Sequence, residues 1–336
     1  MPWLAHSQPP ALLSDPEGAL ATGRDRRGAG LLPYLRIARI DHWVKNAFML
    51  PGTALALLFV RPPIDVLLWQ TLLGLASLCL CSSANYTINE FLDGEFDRFH
   101  PIKNKRPGAQ GLLDARFVAL QYAALASVAV GLAATVGRTF AITCIALLMM
   151  GIVYNARPFR TKDWQYLDVL SEAINNPLRL LLGWFALVHD VLPPSSIILA
   201  YWMGGAFLMA VKRYTELRGI ADHDAAGRYR RSFIYYTEDK LLLSAFFYAV
   251  CSSFFLGVFL IKYRIEFLLT FPLFSLMFTW YFAIGLKPNS AAQAPERLFT
   301  ERRFLTFVGL ICAAVAVLFY LDIPILHILV EPISVR

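Results

Sequence analysis

The sequence predicts an all-α, polytopic membrane protein of nine transmembrane helices with a cytoplasmic N-terminus. Three observations predict it. The 336 residues are 57% apolar and 16% charged, with mean hydropathy +0.52 and 25 Phe; soluble domains run about 45–50% apolar and about 25% charged. Nine apolar runs approach the about 20 residues that a helix needs to cross hydrocarbon. The 31 Lys and Arg divide unequally between alternate connecting segments. So much apolar surface cannot be hidden inside a compact soluble globule, and fibrous and disordered classes fall away with it. The five cysteines, Cys79, Cys81, Cys144, Cys251 and Cys312, all lie in apolar runs without a C-x-x-C, which excludes a disulfide framework and a zinc site.

Residues 1–30 are rich in Pro, Gly, Ala and Arg without periodicity, and predict a disordered cytoplasmic tail. They do not read as a cleavable signal, because Arg24, Arg26 and Arg27 follow the mildly apolar part instead of preceding it. Residues 31–45, LLPYLRIARIDHWVK, mix aliphatic side chains with Arg36, Arg39 and Lys45, which suits a short amphipathic helix lying in the interface. The expected spans are 46–60, 66–88, 117–136, 139–155, 167–188, 195–211, 241–261, 265–286 and 304–323. The first is short and holds Pro51, which predicts an earlier start or a kink. The segment from His189 to Pro194 predicts a turn between the fifth and sixth. The catalytic body therefore covers 46–325, and 326–336 form a C-terminal tail.

Orientation follows from the cations. With the N-terminus inside, 25 of the 31 fall on the cytoplasmic side; Arg61, Arg138, Lys262, Arg264 and Arg336 fall outside and Arg179 within a span. That asymmetry is a positive-inside signal; a multi-pass protein of the plasma (inner) membrane is the expectation. The long polar segments, 89–116 and 212–240, also lie on the cytoplasmic side, where chemistry on a rigid bundle is expected.

Four clusters there can carry chemistry. Asn89, Asp93 and Asp97 at the end of the second span are spaced i, i+4, i+8, so all three share one helix face. Such a pattern is ordinarily a solvated helix end. At a membrane boundary, where ionisable groups are costly, hard oxygen ligands on one face suit Mg²⁺ held together with substrate phosphates. His100, Lys103, Lys105, Arg106 and Pro107 follow directly; cations beside metal-binding carboxylates suit a diphosphate. Tyr154, Arg157, Arg160, Lys162, Asp163 and Asp168 surround the fourth-to-fifth connection, with Glu172 and Arg179 deeper. An arginine that far inside a span must face a partner or a polar cavity, and direct pairing with Glu172 is doubtful at two turns' separation. Lys212, Arg213 and Glu216 end the sixth span, followed by Arg228, Arg230, Arg231, Tyr235 and Tyr236. Basic stretches that flank spans argue against nucleic acid, and no Walker, zinc or nucleophile-elbow motif is present.

The block Asn89-x-x-x-Asp93-x-x-x-Asp97-Arg98-x-His100-Pro101-x-Lys103-x-x-Arg106-Pro107 resembles the first aspartate-rich motif of the UbiA superfamily of intramembrane prenyltransferases. Trp43-Val44-Lys45-Asn46, Leu178-Arg179, Lys212-Arg213-Tyr214-x-Glu216-Leu217 and Arg231-Ser232 with Tyr235-Tyr236-Thr237 resemble the decaprenyl-phosphate phosphoribosyltransferase branch, over roughly residues 35–320. The resemblance implies nine helices around a central cavity with the active site facing the cytoplasm. It implies transfer of 5-phosphoribosyl from phosphoribosyl pyrophosphate to a polyprenyl phosphate, with a role in cell-envelope arabinan precursors. The alternative is a prenyl diphosphate donor and an aromatic acceptor. Mg²⁺ is then expected on Asn89, Asp93 and Asp97, with Asp93, Asp97, Arg106 and Lys212 catalytic. Substrate contacts are expected from Lys45, Asn46, Lys103, Tyr154, Arg160, Lys162, Asp168, Arg179, Arg213, Glu216, Arg230, Arg231 and Tyr236. A homo-oligomer is left open. Two departures stand out. Glu90 replaces the usual Asp after Asn89, and Arg160 and Lys162 compete for the lysine of a Tyr-Lys motif begun by Tyr154.

Overall fold

The computed structural model describes residues 30–57, 59–220, 222–263, 265–287, 290, 292 and 301–326. The expected tails at 1–30 and 326–336 lie outside the described residues apart from their inner ends. Among the described residues every regular element is helical. Seven helices are long and apolar enough to cross a membrane: Ile64–Leu92, Ala115–Val136, Arg138–Asn155, Ser195–Gly219, Glu238–Tyr263, Ile265–Leu286 and Arg302–Tyr320.

The chain enters through α1 (Leu32–Ile37), and Arg39 in a left-handed conformation (φ 49°) turns it into a 3₁₀ stretch, Ile40–Met49. Here α2 (Leu50–Leu57) begins. Pro51 stands in its first turn, where a missing N–H costs nothing, so the first expected span is a 3₁₀ segment joined to a short α-helix. Next come α3 (Ile64–Leu92), the single turn α4 (Gly94–Asp97), α5 (Ala115–Val136) and α6 (Arg138–Asn155). The Asp114 side chain caps α5 by accepting from the Arg116 N–H at 2.8 Å.

The fifth expected span is not one helix. It divides into α7 (Leu167–Ala173) and α8 (Asn175–Phe185). Pro177 lies in the first turn of α8 and cannot donate back into α7, a break that the apolar run conceals. Then follow α9 (Ser195–Gly219), α10 (His223–Tyr229), α11 (Glu238–Tyr263), α12 (Phe271–Leu286) and α13 (Arg302–Tyr320).

These two interrupted segments pack backbone against backbone. A Cβ on Gly52 would come within 1.9 Å of the Leu180 carbonyl oxygen, and one on Gly183 within 2.0 Å of that of Met49. Such close approach through small residues is how helices associate in lipid, where no hydrophobic drive separates helix from solvent. Met49, Leu78, Phe140, Leu147 and Leu182 fill one core; Phe207, Val211, Tyr248, Tyr281 and Ile284 fill another. Outside, α11 exposes Leu243, Phe246, Phe247, Val250 and Phe254, an apolar face suited to lipid contact.

Candidate active site

Polar residues gather at one end of the bundle around a cavity of about 710 Å³. Its walls come from the ends of α3, α6 and α9, from α8, and from loop residues including His100, Lys103, Arg106 and Arg230. One wall is the α3–α4 corner. The chain bends at Asp93, yet the Asp93 N–H still donates to the Asn89 carbonyl at 2.9 Å and Asp97 N–H to that of Asp93 at 2.8 Å. The i+4 register therefore survives the bend, and Asn89, Asp93 and Asp97 all line the cavity. The following loop folds tightly beneath: a Cβ on Gly94 would meet the Gly108 carbonyl at 2.5 Å, and one on Gly108 the Glu90 carbonyl at 2.3 Å. That contact carries Arg106 to Asp97, with Nη1 donating at 2.8 Å, and to 3.9 Å from Glu90.

Asp93 is held by both candidates for the motif lysine. Arg160 Nη2 donates to its Oδ1 at 3.0 Å, and Lys162 Nζ donates to the same oxygen. Arg160 sits in a left-handed conformation (φ 30°) that L-residues rarely adopt. It is held there by the Asn155 carbonyl at 2.9 Å and by Asp163, and strain of this kind persists where surrounding bonds over-determine it. Burial works to raise the Asp93 carboxyl, but Lys162 and Arg160 outweigh it and keep it below its ordinary value. Burial dominates at Asp97 and raises its carboxyl, with Arg106 opposing. Burial also draws the Lys162 ammonium down to about 8 against the pull of Asp93. His100 is lowered to about 4 by burial and then by Lys103, so it is neutral at physiological pH; its Nδ1 accepts from the Ile102 N–H at 3.1 Å.

The opposite wall is cationic. Arg213 is 1% exposed and lies 3.3 Å from Asp168 and 2.7 Å from Glu216; it also donates to Glu172, and to Tyr154 Oη at 3.0 Å. Asp168 is itself 0% exposed and accepts from Ser232 at 3.0 Å and Tyr236 at 2.7 Å. Lys103 Nζ donates to Glu216 at 2.9 Å and to Tyr229, and Lys212 lies 3.8 Å from Glu172. Arg230 reaches Tyr154 at 3.3 Å. On the floor, Lys45 and Arg179 also line the cavity; Arg179 pairs with Asn46 at 3.4 Å, while Glu172 goes to Arg213.

Most of the residues read from the sequence thus meet around one cavity. Arg160, Lys162, Asp168 and Asn46 stand just behind its surface, Tyr236 is buried against Asp168, and Arg231 is exposed and lines nothing. Sequence reasoning did not single out Asn155, whose Oδ1 accepts from Lys162 at 2.8 Å, or Tyr229, whose ring centroid lies 4.7 Å from Lys103 Nζ. Asn155 adjoins Tyr154 and could have been found by that adjacency; Tyr229 carries no signal of its own. A second basin of about 440 Å³ outside Glu90 shares Arg39 and Arg106 with the main cavity.

Among the described residues no three His, Cys, Asp or Glu side chains converge as a ready-made metal cage. Asn89, Asp93 and Asp97 offer two carboxylates and an amide on one wall. This hard-oxygen set fits a divalent ion whose remaining ligands are phosphate oxygens and water.

A model of the UbiA prenyltransferase family matches residues 49–311. Decaprenyl-phosphate phosphoribosyltransferase of Corynebacterium glutamicum is 27% identical over 215 residues, 62% of this chain and 60% of that protein. The enzyme of the same name from Mycolicibacterium smegmatis is 28% identical over 226 residues, 65% and 68% of the two chains. Nodulation protein NoeC of Azorhizobium caulinodans is 24% identical over 205 residues, 60% and 63%. The chain thus spans about 60% of the length of the Corynebacterium relative. Among solved structures, a UbiA homolog from Archaeoglobus fulgidus bound to DMAPP and Mg²⁺ superposes with TM-score 0.65 at 23% identity, covering 86% of this chain and 100% of that one. A digeranylgeranylglyceryl phosphate synthase superposes with TM-score 0.60 at 17% identity, over 87% and 99%.

Proposed function

The chain belongs to the UbiA prenyltransferase family, and from that premise we propose that this membrane transferase moves 5-phosphoribosyl from phosphoribosyl pyrophosphate to a polyprenyl (decaprenyl) phosphate, releasing pyrophosphate. The observation that carries this reading is the charge of the cavity. Nine Lys and Arg line it against four Asp and Glu. A phosphomonoester carries about −1.5 to −2 at neutral pH. A phosphoribosyl donor with its diphosphate and 5-phosphate, together with a lipid phosphate, brings four phosphate groups to that lining; a prenyl diphosphate and an aromatic acceptor bring two. The branch-named relatives support the same donor and acceptor.

In this reading nine spans, two of them interrupted, surround the cavity. The N-terminus and active site face the cytoplasm, and the protein sits in the plasma membrane. Asn89, Asp93 and Asp97 hold Mg²⁺, which supplies charge neutralisation at the diphosphate. Lys103 and Arg106 face the departing pyrophosphate, and Lys162 steadies Asp93 from behind. Its C1–O bond breaks with the electron pair leaving on pyrophosphate, and an oxygen of the lipid phosphate forms the new C1–O bond. That oxygen is already anionic, so no strong base is needed; stabilising the departing charge is the main task. Glu216 orients Lys103, and Asp168 orients Arg213 and, through Ser232 and Tyr236, the loop over the cavity.

Prenyl transfer to another acceptor, the activity in the family's name, is the second reading; solved relatives hold DMAPP or GPP with Mg²⁺. Membranes containing the protein, given ribose-labelled phosphoribosyl pyrophosphate and polyprenyl phosphate, decide between them. Label in the lipid phase that requires both substrates and Mg²⁺ supports the first. Transfer of label from a prenyl diphosphate to an added aromatic acceptor, with release of pyrophosphate, supports the second.

A further inference from the structure

Below the charged walls the cavity turns to neutral polar groups. Ser82, Asn85 and Asn175 line it there, with Gly151 beside Asn85. Asn85 stands four residues before Asn89 on α3, so it continues the stripe of Asn89 and Asp93 one turn further from the loops, about 6 Å at about 1.5 Å per residue. Asn175 is the first residue of α8, three residues beyond Glu172 and just past the break between α7 and α8. Irregular backbone at membrane depth is tolerated where it lines a polar cavity, and discontinuous helices recur at binding sites there.

Both amides are short of partners. Asn85 Nδ2 donates to the Leu147 carbonyl at 2.9 Å, and its Oδ1, packed against Gly151, accepts from no donor among the described residues. Asn175 Oδ1 is buried without a donor as well. Among the described residues no hydrogen bond engages the Asn175 side-chain amide at all. An asparagine at the start of a helix ordinarily caps it, but α8 has no side-chain cap, so capping does not account for this one. A buried amide without partners is costly, and a ligand that completes it relieves the cost. No bond fixes the plane of the Asn175 amide, so rotation about χ2, a broad torsion in Asn, presents either Oδ1 or Nδ2 to the cavity.

The kind of ligand group follows from the chemistry. Diphosphate, 5-phosphate and lipid phosphate are anions that accept hydrogen bonds, and an isoprenoid chain neither accepts nor donates. A sugar hydroxyl does both, as a primary amide does. Resting on the phosphoribosyl reading, we propose that Asn175 reads the ribose of the donor, pairing its amide with a ring hydroxyl and so selecting a sugar diphosphate over a prenyl diphosphate. In that reading the diphosphate at Asp93 and Asp97 sends the ribose toward the wall of Glu172 and Arg213, and Asn175 lines the cavity on the same side. A prenyl chain in that place leaves the amide unpaired, and a site built to hydrogen-bond a hydroxyl rejects an analogue that lacks one.

The test uses the full-length protein in nanodiscs with Mg²⁺ and no acceptor, so that no transfer occurs. Binding of phosphoribosyl pyrophosphate, its 2-deoxy and 3-deoxy analogues, and inorganic pyrophosphate is measured for wild type, Asn175→Ala and Asn175→Leu. Wild type is expected to bind one deoxy analogue about tenfold more weakly than the parent, the scale of one hydrogen bond whose loss leaves a buried partner unpaired. Each variant is expected to lose about the same factor for the parent, to lose nothing further for that analogue, and to hold pyrophosphate within about twofold. Should one variant fail to give a monodisperse protein, the other carries the measurement. A merely structural role for Asn175 weakens all four ligands together, and that result overturns the assignment. Wild-type binding indifferent to both hydroxyls, or variants that still tell the parent from the analogue, overturns it too and leaves the phosphoribosyl reading standing. Wild type that binds pyrophosphate but not phosphoribosyl pyrophosphate overturns that reading as well.

Discussion

The two walls of the cavity use the same kinds of ion pair to different ends. On the α3–α4 wall, Asp93 and Asp97 each hold cations from loops, and the cavity reaches this wall at Arg106, 24% exposed in its side chain, and at Asp93, 17% exposed, with Arg160 and Lys162 behind them. On the α9 wall, Arg213 is 1% exposed and is shared among Asp168, Glu172 and Glu216. A buried, fully shared charge cannot be withdrawn without leaving its partners uncompensated, so it fixes geometry. A charge that lines the cavity, such as Arg106 or Asp93, can exchange its partner for phosphate or metal without being left uncompensated. In the proposed function the α3–α4 wall exchanges with substrate, and the α9 wall is a frame that holds Lys212, Lys103 and Tyr154 in place.

The largest expected effect breaks the exchangeable wall. Asp93→Asn or Asp97→Asn should lower transfer by about 10²–10³-fold or more, the scale of losing one preorganised electrostatic contact to the transition state. Membrane yield should stay normal. Label transfer and quantitative blotting check this pair of readouts, and retained activity in either variant removes the metal assignment.

Breaking the frame gives the opposite pattern. Arg213→Ala leaves Asp168, Glu172 and Glu216 without their shared partner, at a cost of about 3–5 kcal/mol for a broken buried pair. Thermal unfolding in detergent should show a large drop in Tm and yield, which Arg213→Lys does not restore because one ammonium cannot span three carboxylates. An unchanged Tm would mean that the α9 wall is no frame.

Smaller effects sharpen the contrast. Lys162→Met and Arg160→Gln should each lower turnover by about 10–100-fold, the scale of a hydrogen bond to a charged group, with a smaller Tm drop than Arg213→Ala because Asp93 keeps the other cation. If either loses as much stability as Arg213→Ala, the α3–α4 wall is as structural as its counterpart. Tyr236→Phe removes the 2.7 Å bond donated to Asp168 and the 2.7 Å bond that its hydroxyl accepts from the Tyr166 N–H. It should cost about 2 kcal/mol of stability, about 1 per bond, read as a modest Tm shift, with turnover close to wild type.

The exchangeable wall was legible in the sequence and the frame was not, for a physical reason. Asn89, Asp93 and Asp97 are linked by helical periodicity, so their shared face can be read from spacing alone, and the bend at Asp93 preserves it. The Arg213 cluster joins residues 41 and 59 positions apart, Glu172 and Tyr154; only the packing of α6, α7 and α9 brings them together. Arg160 and Lys162 looked like rivals for one role because sequence offers a single motif position, whereas the loop supplies both to Asp93. Apolar runs disclosed where the chain meets lipid but concealed the break before Pro177, since proline at a helix start leaves hydropathy untouched. Arg231, written in the same basic run as Arg230, points out of the cavity that Arg230 lines.

A structure of the protein with Mg²⁺ and phosphoribosyl pyrophosphate would show whether the cavity takes a phosphorylated sugar on its carboxylate wall. The expected result is a diphosphate against Asp93 and Asp97, with a ribose and a separate 5-phosphate extending toward the cationic wall. A site that excludes this donor and instead fills with a prenyl diphosphate, its isoprenoid chain running through the space assigned to the sugar, would contradict it.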